Sequence, residues 1–174
     1  MVALVALGAT GCYLTSAQVL VNYGLPNPFT INGADGFGRI SVDLNTVPDD
    51  KDNKDKLKAI SDFALVGRFT NTNGSGGVVV VYITPGATSL TSPGEIVAGA
   101  TKLWGPGAIG AAPASRTMTW DDSAALFTAA GKAVLLKEAR GDGEFTLYTS
   151  GTPGTSNVIR VDKGILIFVI GAGV

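Results

Sequence analysis

The pattern of apolar and polar residues predicts β-strands along most of the chain. In residues 38–44 every second residue is apolar, which is the period of a strand with one buried face. Residues 78–83 are a largely β-branched run between Gly77 and Pro85, and residues 165–170 form a second continuous apolar run. Runs of this kind are typical of central strands that are covered on both faces. We therefore expect sheets to dominate the fold.

Glycine, proline and asparagine residues divide the other apolar segments into further strands. Strands are predicted at residues 29–31, 59–70, 95–103, 116–120, 132–138, 144–149 and 158–161. One short helix is predicted, with Asp121 as its N-cap, residues 124–130 as its body and Gly131 as its end. Residues 140–143 are predicted to form a hairpin turn between two strands.

Residues 2–21 are nearly all apolar and need a separate interpretation. A signal peptide requires a basic residue before its apolar core, and none is present. A transmembrane helix requires about 20 apolar residues, whereas Thr10, Thr15, Ser16 and Gln18 interrupt this stretch. We therefore predict two short buried strands with a glycine-rich turn between them.

The spacing of these elements predicts an all-β fold. Roughly eight to ten strands without helical crossovers indicate an antiparallel sandwich or barrel. Two runs covered on both faces and one inserted helix favour a jelly roll over an immunoglobulin sandwich, whose Cys…Trp…Cys pattern is absent. We predict one jelly-roll domain, a β-barrel sandwich covering residues 1–174.

The composition adds information about the surface. The chain is 45% hydrophobic and only 16% charged, against about 25% charged in an average soluble domain. Such a surface suits a protein that is largely covered by neighbours. The 13 basic and 14 acidic residues leave a net charge of −1, and no Lys/Arg cluster is present. Phosphate neutralisation requires a basic patch or arm, so we expect no direct contact with nucleic acid.

The side chains that usually carry catalysis are scarce. The chain has no histidine and one cysteine, Cys12, which removes Ser-His and Cys-His dyads and the commonest metal ligand. Cys12 cannot form an internal disulfide. An intermolecular disulfide stays open, but burial as a small apolar residue is favoured. We expect no enzymatic activity, no catalytic residue, no cofactor and no metal ion.

Three short motifs resemble known sites, but local structure explains them better. A calcium loop starting at Asp50 would have Asp55 where glycine is required and Ser61 where the bidentate glutamate is required. We predict a solvated loop there, or a short helix beginning at Pro48. Residues 105–110 spell G-x-G-x-x-G, but no βαβ unit surrounds them, so a surface loop is predicted. Residues 140–142 spell an integrin-binding tripeptide, which a turn already explains.

The chain as a whole resembles a family of capsid proteins. Its 174-residue length, the uncharged residues 2–21, the valine strand at residues 78–83 and the apolar final strand at residues 165–170 resemble the small single-jelly-roll major capsid protein of tailless icosahedral phages with an internal membrane. These phages are the sphaerolipovirus type that infects Thermus, a thermophile.

The resemblance implies a place in the virion, in a capsid shell over a lipid vesicle. It implies a homo-oligomer, expected to be a dimer, that packs with a second, larger major capsid protein near the internal membrane. The membrane would separate the shell from the genome, in agreement with the missing basic arm.

Aromatic residues are the candidates for the assembly interface. Trp and Tyr are enriched at interface hot spots, so we expect Trp104, Trp120, Tyr13 and Tyr23 to lie there; core packing is the alternative for each Trp. A different function, a carbohydrate- or ligand-binding β-sandwich, would use exposed Trp or Tyr as a stacking platform. An enzyme using paired carboxylates would use residues 121–122, although capping of a helix start explains that pair.

Overall fold

The computed structural model of the chain describes residues 16–32, 37–46, 57–86, 88–151 and 156–173. These residues contain nine strands: β1 (Ser16–Gly24), β2 (Phe29–Asn32), β3 (Gly38–Asp43), β4 (Leu57–Asn73), β5 (Gly77–Pro85), β6 (Thr101–Ile109), β7 (Ser115–Met118), β8 (Glu144–Ser150) and β9 (Val158–Gly173). They also contain three α-helices: α1 (Pro93–Gly99), α2 (Trp120–Ala124) and α3 (Ala129–Arg140). A single 3-10 turn, Leu44–Thr46, follows β3.

The strands form two antiparallel sheets. The first sheet has the order β1-β9-β4-β7. The first residues of β9, 158–161, pair with β2, and its later residues, 165–173, pair with β1. The second sheet has the order β3-β8-β5-β6. Taking β1 and β2 as one interrupted strand gives two layers of four strands, and most connections cross from one layer to the other. This is the strand arrangement of a jelly roll, so the predicted all-β jelly-roll sandwich is confirmed.

The hydrophobic core lies between the two sheets. Alternate residues of each strand point inward, as the pleat requires. The first sheet contributes Phe63, Leu65, Phe69, Leu166 and Phe168, and the second contributes Val79, Val81, Ile83, Phe145 and Leu147, all of them at most 1% exposed. Phe63 packs against Phe168 with ring centroids 5.2 Å apart, a favourable aromatic distance.

The two continuous apolar runs are central strands, as predicted, but their outward faces are not fully covered. In β5, Val79 and Val81 are buried while Val78 and Val80 are half-buried. In β9, the residues that alternate with Leu166 and Phe168 point outward, and Ile165 is 37% exposed. The prediction that both faces are buried was therefore wrong, because an apolar sequence does not specify whether its own chain supplies the cover.

One predicted strand and part of another are helical instead. Of the predicted strand at residues 95–103, residues 101–103 do begin β6, but residues 95–99 belong to α1, which Ser92 caps by accepting a hydrogen bond from the Glu95 amide at 3.2 Å. Residues 132–138 lie inside α3, whose N-cap Thr128 accepts a bond from the Gly131 amide at 3.0 Å. Gly131, predicted to end a helix, therefore lies in its first turn. Apolar runs of this length do not distinguish a short strand from a packed helix.

Other boundaries also differ from the predictions. Residues 105–109, predicted to be a surface loop, belong to β6, and Gly105 adopts a positive φ of 104° there. Residues 141–143 link α3 to β8 and so do not form a hairpin between two strands. The two final predicted strands are the single strand β9.

Several predictions fall outside the described residues. They concern the first fifteen residues, including Cys12 and Tyr13, and the segment 47–56 that contains the calcium-like pattern. Within the described ranges, none of the helices has both the length and the apolar character that crossing a membrane requires.

Candidate functional site

Trp104 is a core residue, which corrects its predicted place at an interface. Its side chain is fully buried, and its indole Nε1 donates to the backbone oxygen and to Oγ of Ser123, both at 2.9 Å. The same Oγ accepts a hydrogen bond from the Leu65 amide at 2.7 Å. The Trp104–Ser123–Leu65 contacts tie β6, α2 and β4 together. Buried indoles normally find such a partner, and the alternative of core packing holds for Trp104.

Trp120 is half-buried at the start of α2. The acidic pair that follows it serves the helix terminus: Asp122 accepts a bond from the Thr119 hydroxyl at 2.9 Å and contacts Arg116 at 3.3 Å. Hydrogen bonds from the side chain and the backbone of Thr119 are the main reason that the pKa of Asp122 lies below its ordinary value, and the Arg116 charge lowers this pKa further. The N-cap is therefore Thr119 and not the predicted Asp121, and Asp122 is a carboxylate in the first turn, where a negative charge is favourable.

Tyr23 lies half-buried near the end of β1, and its hydroxyl donates to the Ser41 backbone oxygen at 3.4 Å. It therefore joins β1 of the first sheet to β3 of the second. The sheet order places β1 at one edge of the first sheet and β7, which precedes Trp120, at the other. Trp104, Trp120 and Tyr23 therefore do not share one surface, and the two Trp residues form no exposed stacking platform.

A cleft of about 300 Å³ opens beside Tyr23. Besides Tyr23, it is lined by residues 41–43, Thr46, Gly86 and residues 144–146. We call it the Tyr23 cleft. It lies where the ends of β3 and β8 meet the chain leaving β5. Within the described residues, no three His, Cys, Asp or Glu side chains lie close enough to hold a metal ion together.

Gly86 and residues 88–91 lie over the outer face of β8. The Gly86 amide donates to the Glu144 oxygen at 3.1 Å, and the Thr146 hydroxyl donates to the Gly86 oxygen at 3.0 Å. Beyond them the buried Tyr148 hydroxyl donates to the Thr88 oxygen and accepts from the Leu90 amide. These contacts explain why the outward residues Thr146 and Tyr148 of β8 are buried.

We expect Tyr148→Phe to destabilise the protein by about 1–2 kcal/mol. The ring stays packed, but two hydrogen bonds are lost and two backbone groups lose their partner. Chemical denaturation measures the change. Tyr82→Phe is the matched control, since Tyr82 lies opposite Tyr148 on the same sheet face but is only half-buried. Equal effects of the two substitutions would contradict the anchoring role of Tyr148.

Part of the outer face of the first sheet is apolar, although the exposed Asn22 lies opposite Ile167 on the same face. Leu20 is 54% exposed and Ile165 is 37% exposed. Their neighbours Val66, Ile167 and Val169, which point to the same side, are half-buried. We call these five residues the apolar face. Reasoning from sequence missed it as a surface, although the apolar run at residues 165–170 was the signal for it.

The strand order defines the class of this protein as a jelly-roll β-sandwich. No known protein family and no curated protein matches the chain. Among solved structures, a chain from Desmodium yellow mottle tymovirus aligns over 91% of this chain and 90% of its own length, with 10% identity and a TM-score of 0.23.

Proposed function

We propose that this chain is a structural virion protein, a major capsid subunit that self-associates and packs with a second capsid protein. The shell would be icosahedral and would lie over an internal membrane. The subunit acts by packing and not by catalysis. Its place would be the capsid shell, without direct contact to nucleic acid.

The observation that carries this proposal is the apolar face. A jelly roll alone does not specify a function, since lectins and cupins use it as well as capsids. Exposed apolar side chains grouped on one sheet face are what a subunit interface uses, because their burial against a neighbour stabilises association. The low charged fraction of 16% agrees with a surface that neighbouring subunits cover.

The apolar face has a charged boundary that suits an interface. Asp62 is half-buried opposite Val169, and Arg68 is exposed opposite Asp162. An apolar centre with polar residues at its rim is the usual anatomy of a protein–protein interface. We propose that a second copy of this chain occupies the face, and that the larger capsid protein contacts the remaining surface.

We expect the purified chain to form oligomers, and Leu20→Arg and Ile165→Arg to shift them towards the monomer by at least tenfold in dissociation constant. Burying an unpaired charge in an apolar contact costs more than the roughly 1.4 kcal/mol that a tenfold change represents. Light scattering coupled to size-exclusion chromatography measures the masses. Val97→Arg is the matched control, because Val97 is 66% exposed on α1 and not on the apolar face.

Two outcomes would contradict the proposal. Self-association would be excluded if the wild-type chain stayed monomeric at all concentrations, both alone and with other proteins of its virion. An equal loss of oligomers in the Val97→Arg control places the contact elsewhere. Quantitative mass spectrometry of purified particles supplies an independent test, because a major capsid subunit is present in many copies per particle.

A further inference from the structure

We propose that the second copy of this chain packs on the apolar face in one orientation, with the strands of the two copies antiparallel and with Asp62 of each copy paired with Arg68 of the other. This inference rests on the proposed function, because it requires self-association at the apolar face. It adds the orientation of the two copies and the charged contacts that fix it. The observations that carry it are the positions of these two charged side chains and the absence of an ion pair at either one among the described residues.

Asp62 and Arg68 lie on the outer face of the same strand, β4. Leu65 and Phe69 of this strand are buried in the core, so the residues that alternate with them point outward. At about 3.3 Å per residue, Asp62 and Arg68 are roughly 20 Å apart along the strand. Val66 lies between them, and the apolar residues of β9 lie beside them. The apolar face therefore has an acidic end and a basic end.

Neither of these two charges is neutralised by another described residue. Asp62 is half-buried and forms no ion pair within the described part of the chain. The Arg68 Nε donates to the Ser115 hydroxyl at 2.9 Å, which orients the guanidinium group. Asp162, the carboxylate directly opposite Arg68, pairs with Arg160 at 2.8 Å instead. Burying either charge in an interface without a partner would be costly, so a neighbour that covers this face has to supply both partners.

A two-fold axis lets a second copy supply both partners. In a two-fold dimer, each contact between two different residues occurs twice. An axis that lies between the two faces, perpendicular to the strands and level with the midpoint between Asp62 and Arg68, stacks β4 on the partner's β4 in the antiparallel direction. Asp62 of each copy then faces Arg68 of the other across sheets that are about 10 Å apart. An axis parallel to the strands would instead place like charges against each other, which is unfavourable.

The same axis also brings apolar residues together. It passes between two pairs of opposed residues, Ala64–Ile167 and Val66–Ile165, so each pair lies against the other pair of the second copy. The side chain of Ile165, which is 37% exposed, would face Ile167 of the other copy. The exposed Asn22 lies on the edge strand β1, where a polar side chain can stay at the rim. Apolar burial therefore stabilises the centre of the interface, and the two ion pairs fix its orientation.

Charge reversal in the full chain tests the pairing. We expect Asp62→Arg and Arg68→Asp each to weaken self-association about tenfold or more in Kd, because each places like charges against each other at both ends of the interface. The double variant should recover most of the wild-type affinity, since it restores both pairs with their signs exchanged. Asp121→Arg is the matched control, because it reverses a charge at an exposed position on α2 and should leave Kd unchanged. Sedimentation equilibrium measures Kd, and circular dichroism reports whether each variant is folded.

Mixing the two single variants gives an independent readout. Each associates weakly with itself, but the Asp62→Arg copy offers two arginines to the two aspartates of the Arg68→Asp copy, so we expect a one-to-one complex in native mass spectrometry. The orientation is wrong if the double variant stays as weak as the single variants, if the mixture forms no such complex, or if Asp121→Arg weakens association equally. Those results would leave self-association itself in place. A wild-type chain that never associates would overturn both this inference and the proposed function.

Discussion

Replacing Trp104 with alanine is expected to destabilise the protein by about 3–5 kcal/mol, the range observed when buried large aromatic side chains are truncated. Trp104 is the largest fully buried side chain among the described residues. Its removal leaves a cavity between β6 and α2, and it also removes two hydrogen bonds to Ser123. The neighbouring strands are held in their sheets, so they cannot collapse into the space. Chemical denaturation followed by far-UV circular dichroism measures the loss.

Trp104→Phe separates packing from hydrogen bonding. Phenylalanine fills most of the space but cannot donate to Ser123, so we expect a smaller loss of about 1–3 kcal/mol. Trp120→Ala is the matched control, because Trp120 is only half-buried and its truncation should cost less. If Trp104→Ala cost no more than Trp120→Ala, Trp104 would not hold the central place in the core that its burial assigns to it.

The sequence predicts the layers of this fold better than it predicts the connections. Strict alternation in β3 and the valine run of β5 depend on local chemistry, because side-chain period and β-branching act within a few residues. These two strands therefore appear where they were expected. The predicted strand at residues 132–138 is wrong for two reasons. The Thr128 cap is a local signal that the prediction did not use. The packing of the helix against β6 is a tertiary effect that no short window contains.

The candidate sites were harder to predict from the sequence than the strands were. Trp104 was assigned to an interface by residue type, and its partner Ser123 lies 19 residues away. The Tyr23 cleft joins residues that are far apart along the chain, since Asp43 and Glu144 meet only through the pairing of β3 with β8. The length of the connections between strands does not specify which strands pair. A carboxylate pair of this kind becomes visible only once the sheet order is known.

The apolar face has a related origin. The same alternation that predicts an inward core also specifies what lies on the other side of each strand, and in β9 both sides are apolar. Sequence reasoning assigned both to the interior of this chain. The structure places Ile165 at the surface instead. A strand that is apolar on both faces therefore has two explanations, a layer of its own chain or a neighbouring molecule, and at Ile165 the side chain is left 37% exposed.

Gly131→Ala is expected to destabilise the protein by about 3 kcal/mol, in the upper part of the range for overpacking. In an exposed helix, alanine is more favourable than glycine by about 0.5–1 kcal/mol, so the expected sign is reversed here. The reason is the close approach of α3 to β6. A Cβ atom at Gly131 would lie 2.4 Å from the Leu103 Cα and 2.8 Å from the Lys102 backbone oxygen. Both are backbone atoms, so no side-chain rotation can relieve the contact.

Gly94→Ala is the matched control for this reversal. Gly94 also lies in the first turn of a helix, α1, but a Cβ atom there would meet nothing within 4 Å. We expect Gly94→Ala to be neutral or to stabilise by up to about 1 kcal/mol. The two free energies of unfolding, measured in the same denaturant series, should therefore have opposite signs or differ by at least about 2 kcal/mol. Equal values would mean that α3 can move away from β6 at little cost, and that the contact at Gly131 does not fix the helix against the sheet.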